Sequence, residues 1–198
     1  MPNILIEYPP EFRCYAKFAR KVERILQGIE SPDLLYWHDA SGLIEKFSEE
    51  HCNVFLSKYS PKNLPVEELT HAITFKPEDG LFQSLEVPEI PRRTIVIPIT
   101  RVVNKDRGDD FDIYIGRGTK WGNPYAVGFG QAPGEEGDSR QEAIRKYAYD
   151  FERGLLGGAS FMRELEKLQG KRLACHCKPL ACHGDVLAAY LNSVDDGK

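Results

Sequence analysis

Short apolar runs alternate with stretches of helical period along the whole chain, and that alternation restricts the fold more than any single motif. "NILIEYPP" opens with the run Ile4 to Ile6, which reads as a strand ended by Pro9 and Pro10. From Glu11 the period changes. Tyr15, Phe18, Val22, Ile25 and Ile29 recur at helical spacing with charges between them, which predicts an amphipathic helix over residues 11 to 29. "DLLYWHDA" and "CNVFLSKY" read as strands flanking a helix from Gly42 to Glu50, and "HAITFKP" reads as a further strand. This order predicts a small α/β unit over residues 1–88. "EVPEIPRR", residues 86 to 93, carries two prolines and little periodicity, and it is the expected linker. "TIVIPIT" beyond it resembles a buried strand weakened by Pro98.

The second half repeats the alternation with clearer punctuation. "DIYIGRG" reads as a strand ending in a glycine turn. In "GDSRQEAIRKYAYDFERG", Asp138 or Ser139 caps a helix, Ala143, Ile144, Tyr147 and Phe151 form its apolar stripe, and Gly154 stops it. A second helix runs from near Ser160 to Gly170. "KRLACHC" is then a strand and "GDVLAAYLNS" a helix. The predicted fold class is α/β, with a Rossmann-like three-layer C-terminal domain over residues 94–194 behind a smaller N-terminal α/β unit. The tail "DDGK" is expected to be disordered.

Bulk properties exclude some functions. The net charge is −4, with 11 Lys and Arg against 15 Asp and Glu up to residue 100, and 15 of each after it. A balance of this kind argues against an extended nucleic-acid binder but leaves room for a small anion pocket. The acidic first half offers a surface for a protein partner. No stretch approaches the roughly 18 apolar residues of a membrane span. Five cysteines, with Cys14 and Cys52 standing alone, do not form a disulfide framework, so a cytoplasmic protein is expected.

The densest stretch is "KRLACHCKPLACHGDVLAAYL", residues 171 to 191. Strand alternation points Leu173, Cys175 and Cys177 one way, and Ala174 and His176 the other. Cys182 and His183 reach the first turn of the next helix, so three thiols and His183 converge. Three readings stand. Cys175, Cys177, Cys182 and His183 supply zinc-ligand types, although their spacing is irregular for zinc. Alternatively, a helix N-terminus lowers the pKa of Cys182, with His183 as base, Asp185 as a nearby acid and Gly184 allowing close backbone approach. In the third reading the cysteines are small buried residues.

"DIYIGRGTKWGNPY" is the second constellation. Gly116, Gly118 and Gly122 permit close backbone contact, Arg117 and Lys120 bring positive charge, Trp121 a stacking face and Asn123 an amide. These suit a nucleotide, with Arg117 on a phosphate. The rival is a glycine-rich hairpin whose Trp121 covers the core. Upstream, Arg101 and Asn104 of "TRVVN" become candidate ligand contacts. His38, His51 and His71 lack partner spacing and read as structural or surface residues.

Together "RVVN", "DIYIGRGTKWGNPY" and "GKRLACHCKPLACHGDVLA" resemble the domain-of-unknown-function family 4326 of bacteria and their viruses, over residues 100 to 192. The closing pattern is also similar to family 488, which has His-Arg where this chain has His183-Gly184. The resemblance implies a compact α/β domain and carries no established reaction. Gly116, Arg117, Gly118, Trp121, Gly122, Asn123, Pro124, Cys175, Cys177, Cys182, His183, Gly184 and Asp185 match its motif positions. The leading expectation is an enzyme binding a nucleotide, nucleoside or modified base and acting at a glycosidic or phosphate bond. Arg117 and the backbone of residues 183–185 would hold phosphate, with Cys182, His183 and Asp185 as the chemical groups; no cofactor is required by the residues, and zinc is the one that they could hold. The alternative is a non-catalytic phage or bacterial accessory binding protein with a structural Cys/His site.

Overall fold

In a computed structural model, which describes residues 1–87, 89–128 and 138–198, the opening apolar run lies at the centre of a five-stranded parallel sheet. The strands are β1 (Asn3–Glu7), β2 (Asp33–Tyr36), β3 (Phe55–Lys58), β4 (His71–Pro77) and β5 (Arg92–Ile97). Their order is β3-β2-β1-β4-β5, which reverses direction between β1 and β4 as in doubly wound nucleotide-binding folds. A central parallel strand is covered on both faces, so it reads as a continuous apolar run rather than an alternating one. Ile4 and Ile6 pack with Phe18 and Val22 of helix α1 (Tyr15–Leu26) and Phe47 of helix α2 (Leu43–Glu50). Leu5 faces the opposite cluster with Leu35, Leu64 and Leu69.

Helix α1 starts four residues later than its periodicity suggests, because Phe12 first closes a turn onto the Pro9 carbonyl. The expected linker also needs correction. Arg92 to Ile97 pair in parallel with Ala72 to Pro77, so β5 completes the first sheet instead of opening the second. The chain divides after Ile99, into Met1–Ile99 with Ser193–Lys198 and Thr100–Asn192. An apolar run shows that a strand exists, but not which sheet it joins. Pro88, within that expected linker, lies outside the described residues. The first unit carries the larger sheet, the reverse of the expected sizes. The tail expected to be disordered is instead held on α1: Asp196 pairs with Lys17 at 2.7 Å, and Asp195 with Arg20.

The second unit is built on β6 (Arg101–Asn104), β7 (Ile113–Tyr114) and β8 (Arg172–Cys175), parallel in the order β6-β8-β7. Helices α3 (Arg140–Glu152) and α4 (Gly158–Glu166) lie between β7 and β8, and α5 (His183–Leu191) follows β8. Ser139 caps α3 by accepting the Glu142 N–H. Tyr147, Phe161, Leu165 and Leu187 from the three helices gather with Leu173 and Cys175 of β8 in one apolar cluster. The register opposes Asn104 to Cys175 and Tyr114 to Ala174, so the three strands end together where α5 begins. Among the described residues no helix is long and apolar enough to cross a membrane.

Candidate functional site

Strand alternation turns Cys175 into the core and leaves His176 exposed. Cys177 lies just past the strand, with its Sγ 3.7 Å from that of Cys175. Cys182 caps α5: its sulfur accepts the Gly184 N–H at 3.2 Å, and the Asp185 carboxylate accepts the Cys182 N–H at 2.9 Å. This is a capping box, an arrangement that satisfies two otherwise unpaired donors at a helix start. His183, the first helical residue, is buried against the Tyr147 ring, and its Nε2 lies 2.9 Å from the Ile115 carbonyl. A carbonyl only accepts, so Nε2 carries the proton and Nδ1 holds the lone pair of the neutral ring. One ligand atom each from Cys175, Cys182 and His183 falls within 4.8 Å of the others. Gly184 brings the helix this close to the sheet, since a Cβ there would stand 2.6 Å from the Ile115 Cδ1.

A thiolate on Cys182 is one of the three readings of the sequence, and the electrostatics of the pair favour Cys175 as the more acidic thiol. The Cys182 thiol donates to the Cys175 sulfur, and this bond, against the effect of burial, pulls Cys175 down to about 5. The same bond, then burial, holds Cys182 protonated far above the usual thiol range. Asp185 is likewise committed elsewhere, to its cap and to Lys178 at 2.5 Å.

The glycine loop carries a different set of groups from those expected. Trp121 is 5% exposed, packs edge-on against Phe161 at 4.9 Å and so covers the core, as the hairpin reading has it. The expected stacking face is therefore not available. Asn123 spends its amide locally, accepting from the Tyr125 N–H and donating to the Ala143 carbonyl. Lys120 pairs with Glu164. Gly122 lets the turn close on itself, since a Cβ there would meet the Gly116 carbonyl oxygen at 2.7 Å. Gly118 has φ +89°, a conformation that favours glycine.

Asn104 also serves the scaffold. Its Nδ2 donates to the His176 and Lys178 carbonyls, and its Oδ1 accepts the Asp106 N–H at 2.7 Å. Arg101 opens β6 opposite Arg172, about 10 Å along the strand from Asn104, and is no neighbour of the thiols. Of the other histidines, His51 bonds the Phe47 carbonyl and Glu23, His71 bonds Thr70, and His38 packs edge-on against Trp37, as structural or surface residues do.

Residue-level reading missed a three-member chain. The Tyr114 hydroxyl lies 2.9 Å from His176 Nε2, and His176 Nδ1 lies 2.6 Å from the Asp106 carboxylate. The carboxylate only accepts, so it holds the Nδ1 proton and leaves Nε2 to receive the Tyr114 hydroxyl. Gly116 makes room for this ring, because a Cβ there would stand 2.0 Å from the Tyr114 hydroxyl oxygen.

A cavity of about 360 Å³ opens at these strand ends. Tyr114 and His176 line it together with Cys175, Cys182 and His183. Arg117, Arg140 and Tyr125 complete the wall, and Arg140 was not singled out from the sequence. Arg117 is exposed, and among the described residues it makes no ion pair. Arg140 opens α3 and donates to the Ala181 carbonyl at 3.4 Å.

Residues 1–103 match the family described as Minimal SLOG domain, and residues 100–193 match the Domain of unknown function DUF4326. A protein of Enterobacteria phage T4, "Uncharacterized 12.4 kDa protein in nrdA-td intergenic region", is 44% identical over 94 residues. That match spans 48% of this chain and 79% of the phage protein. No solved structure matches the chain.

Proposed function

For a chain that belongs to the minimal SLOG family over residues 1–103 and to the DUF4326 family over 100–193, we propose an enzyme that binds a nucleotide, nucleoside or modified base in the second unit. One observation carries this reading: a single cavity brings two guanidinium groups, two tyrosine rings and an oriented imidazole together. Its volume falls in the range of small-molecule sites, roughly 300–1,000 Å³. Arg117 and Arg140 offer planar donors to a phosphate. Tyr114 and Tyr125 supply flat apolar surface with a polar tip for a base or sugar. A nucleotide-related SLOG domain in the same chain is compatible with such a ligand.

The chemistry is assigned to His176, in place of Cys182 and Asp185. Asp106 orients the ring, and Nε2 faces the Tyr114 hydroxyl at the cavity wall, the base-and-orienter arrangement of acid–base catalysis. At a glycosidic or phosphate bond, Nε2, through or on displacing the Tyr114 hydroxyl, would take a proton from water as its oxygen bonds to the carbon or phosphorus, and return that proton to the leaving atom as the scissile bond breaks.

The test is incubation of the full chain with nucleosides, nucleotides and modified bases, with products read by mass spectrometry. The expected result is turnover of at least one compound, reduced about 10²- to 10⁴-fold in His176→Gln. A compound that binds the cavity without turnover would favour the accessory binding protein. No binding and no turnover of any compound would overturn the reading altogether.

A further inference from the structure

The three buried side chains at the base of the cavity form a donor set that acid–base chemistry by His176 leaves unused. Cys175 and Cys182 offer two sulfurs and His183 a ring nitrogen, all within 4.8 Å of one another. In a tetrahedral zinc site, bonds of about 2.3 Å to sulfur and 2.0–2.1 Å to nitrogen set ligand atoms roughly 3.5–3.8 Å apart. The three atoms therefore need to draw in by up to about 1.3 Å, a movement on the scale of side-chain rotations.

Two features outside the donor atoms fit the same occupant. Histidines that bind metals almost always give their other ring N–H to a carbonyl or carboxylate, and His183 Nε2 meets the Ile115 carbonyl at 2.9 Å. The Gly184 N–H points at the Cys182 sulfur from 3.2 Å, which suits a thiolate ligand. Two thiolates neutralise a divalent cation, so the group is compatible with burial once the ion is bound. All three residues also line the cavity, which places the triad beside the space a ligand would fill.

We propose that Cys175, Cys182 and His183 bind a zinc-class divalent cation whose fourth coordination position opens into the cavity. Cys177 stands next to Cys175, with its sulfur at 3.7 Å, but it is not part of the group of three. It is a neighbour of the site and not a required ligand. Binding displaces the thiol proton still held by the Cys175–Cys182 pair to solvent, so that both sulfurs ligate as thiolates. The fourth position then holds water or a donor atom of the cavity's ligand. This assignment stands whether or not that ligand is a nucleotide.

The experiment is titration of the reduced, full-length, metal-free protein with Co²⁺, followed by displacement with Zn²⁺. The expected result is one equivalent of cobalt, with near-ultraviolet thiolate-to-cobalt absorption and the strong visible bands of a tetrahedral ion, all lost on adding zinc. Cys175→Ser and Cys182→Ser should each weaken binding by more than the roughly 10- to 100-fold that an outer-shell change costs. Cys177→Ser and Cys52→Ser should keep one equivalent. Absence of thiolate-to-cobalt absorption in the wild type would overturn the proposal, whatever the folding of the variants. Unchanged affinity in Cys175→Ser and Cys182→Ser, or loss of the metal in Cys177→Ser, would overturn the three-ligand site. Nucleotide binding measured on the same metal-free protein separates this failure from that of the proposed ligand.

Discussion

Tyr114 and Gly116 compete for the same space, and this pair controls the presentation of His176. A methyl group at residue 116 would lie 2.0 Å from the Tyr114 hydroxyl oxygen. Gly116→Ala should therefore expel the ring and break its bond to His176 Nε2. The expected outcome is a shifted imidazole nitrogen resonance that matches Tyr114→Phe, with the Asp106 contact to Nδ1 retained. A resonance identical to wild type would show that the ring tolerates the methyl group. The convergence of Cys175, Cys182 and His183 was legible in the sequence, because strand alternation and the short loop to α5 are local, whereas Cys177, expected to join them, lies past the end of β8 and outside the group of three. The Tyr114–His176–Asp106 chain was not, because its partners are 62 and 70 residues apart and meet only through the register of β6, β7 and β8. Trp121 misled for a related reason. A tryptophan beside glycines fits either a ligand or a core, and only the position of Phe161 decides between them.

At the scale of elements, helix α1 and the C-terminal tail form a salt-dependent joint. Lys17 is buried and Asp196 is its direct ionic partner, so Asp196→Asn removes the hydrogen-bonded counter-charge and leaves only the neighbouring Asp195 carboxylate. The expected cost is about 3 kcal/mol in the first unit, read from denaturant unfolding. Asp195 is pulled down to about 2, chiefly by hydrogen bonding from Arg20. For Asp196, burial alone would raise the carboxyl, but the Lys17 ammonium and the Lys198 N–H bring it below the usual range. Both folded carboxyls thus titrate below their unfolded value of about 3.9, so their stabilisation is complete above that value and disappears as pH falls towards 2. The stability difference between wild type and Asp196→Asn should be constant from pH 5 to 7 and shrink below pH 4. A difference that instead grows on acidification would contradict the pairing. Periodicity disclosed most of the helices and strands because each buries an apolar stripe. It was silent on the tail, which docks by charge, and on the sheet that β5 joins.

Over the whole molecule, the first unit holds two apolar clusters and the second holds one of its own, which predicts an unfolding free energy for each unit. Calorimetry should resolve two transitions. Leu173→Ala removes a fully buried side chain from the second cluster and should cost about 2–5 kcal/mol, lowering one transition and leaving the other in place. Equal displacement of both would show a shared core. The α/β character of both halves was visible in the sequence, whereas their relative sizes were not, since strand count depends on which partners an isolated apolar run finds.

The most direct test of the account is calorimetric titration of the full chain with nucleoside mono- and diphosphates, repeated for Arg117→Ala and Arg140→Ala. The account predicts one ligand bound per chain, with affinity reduced about tenfold or more in each variant as a charged hydrogen bond is lost. Binding of equal strength in wild type and both variants would put the nucleotide outside this cavity, and no binding at all would contradict the nucleotide assignment.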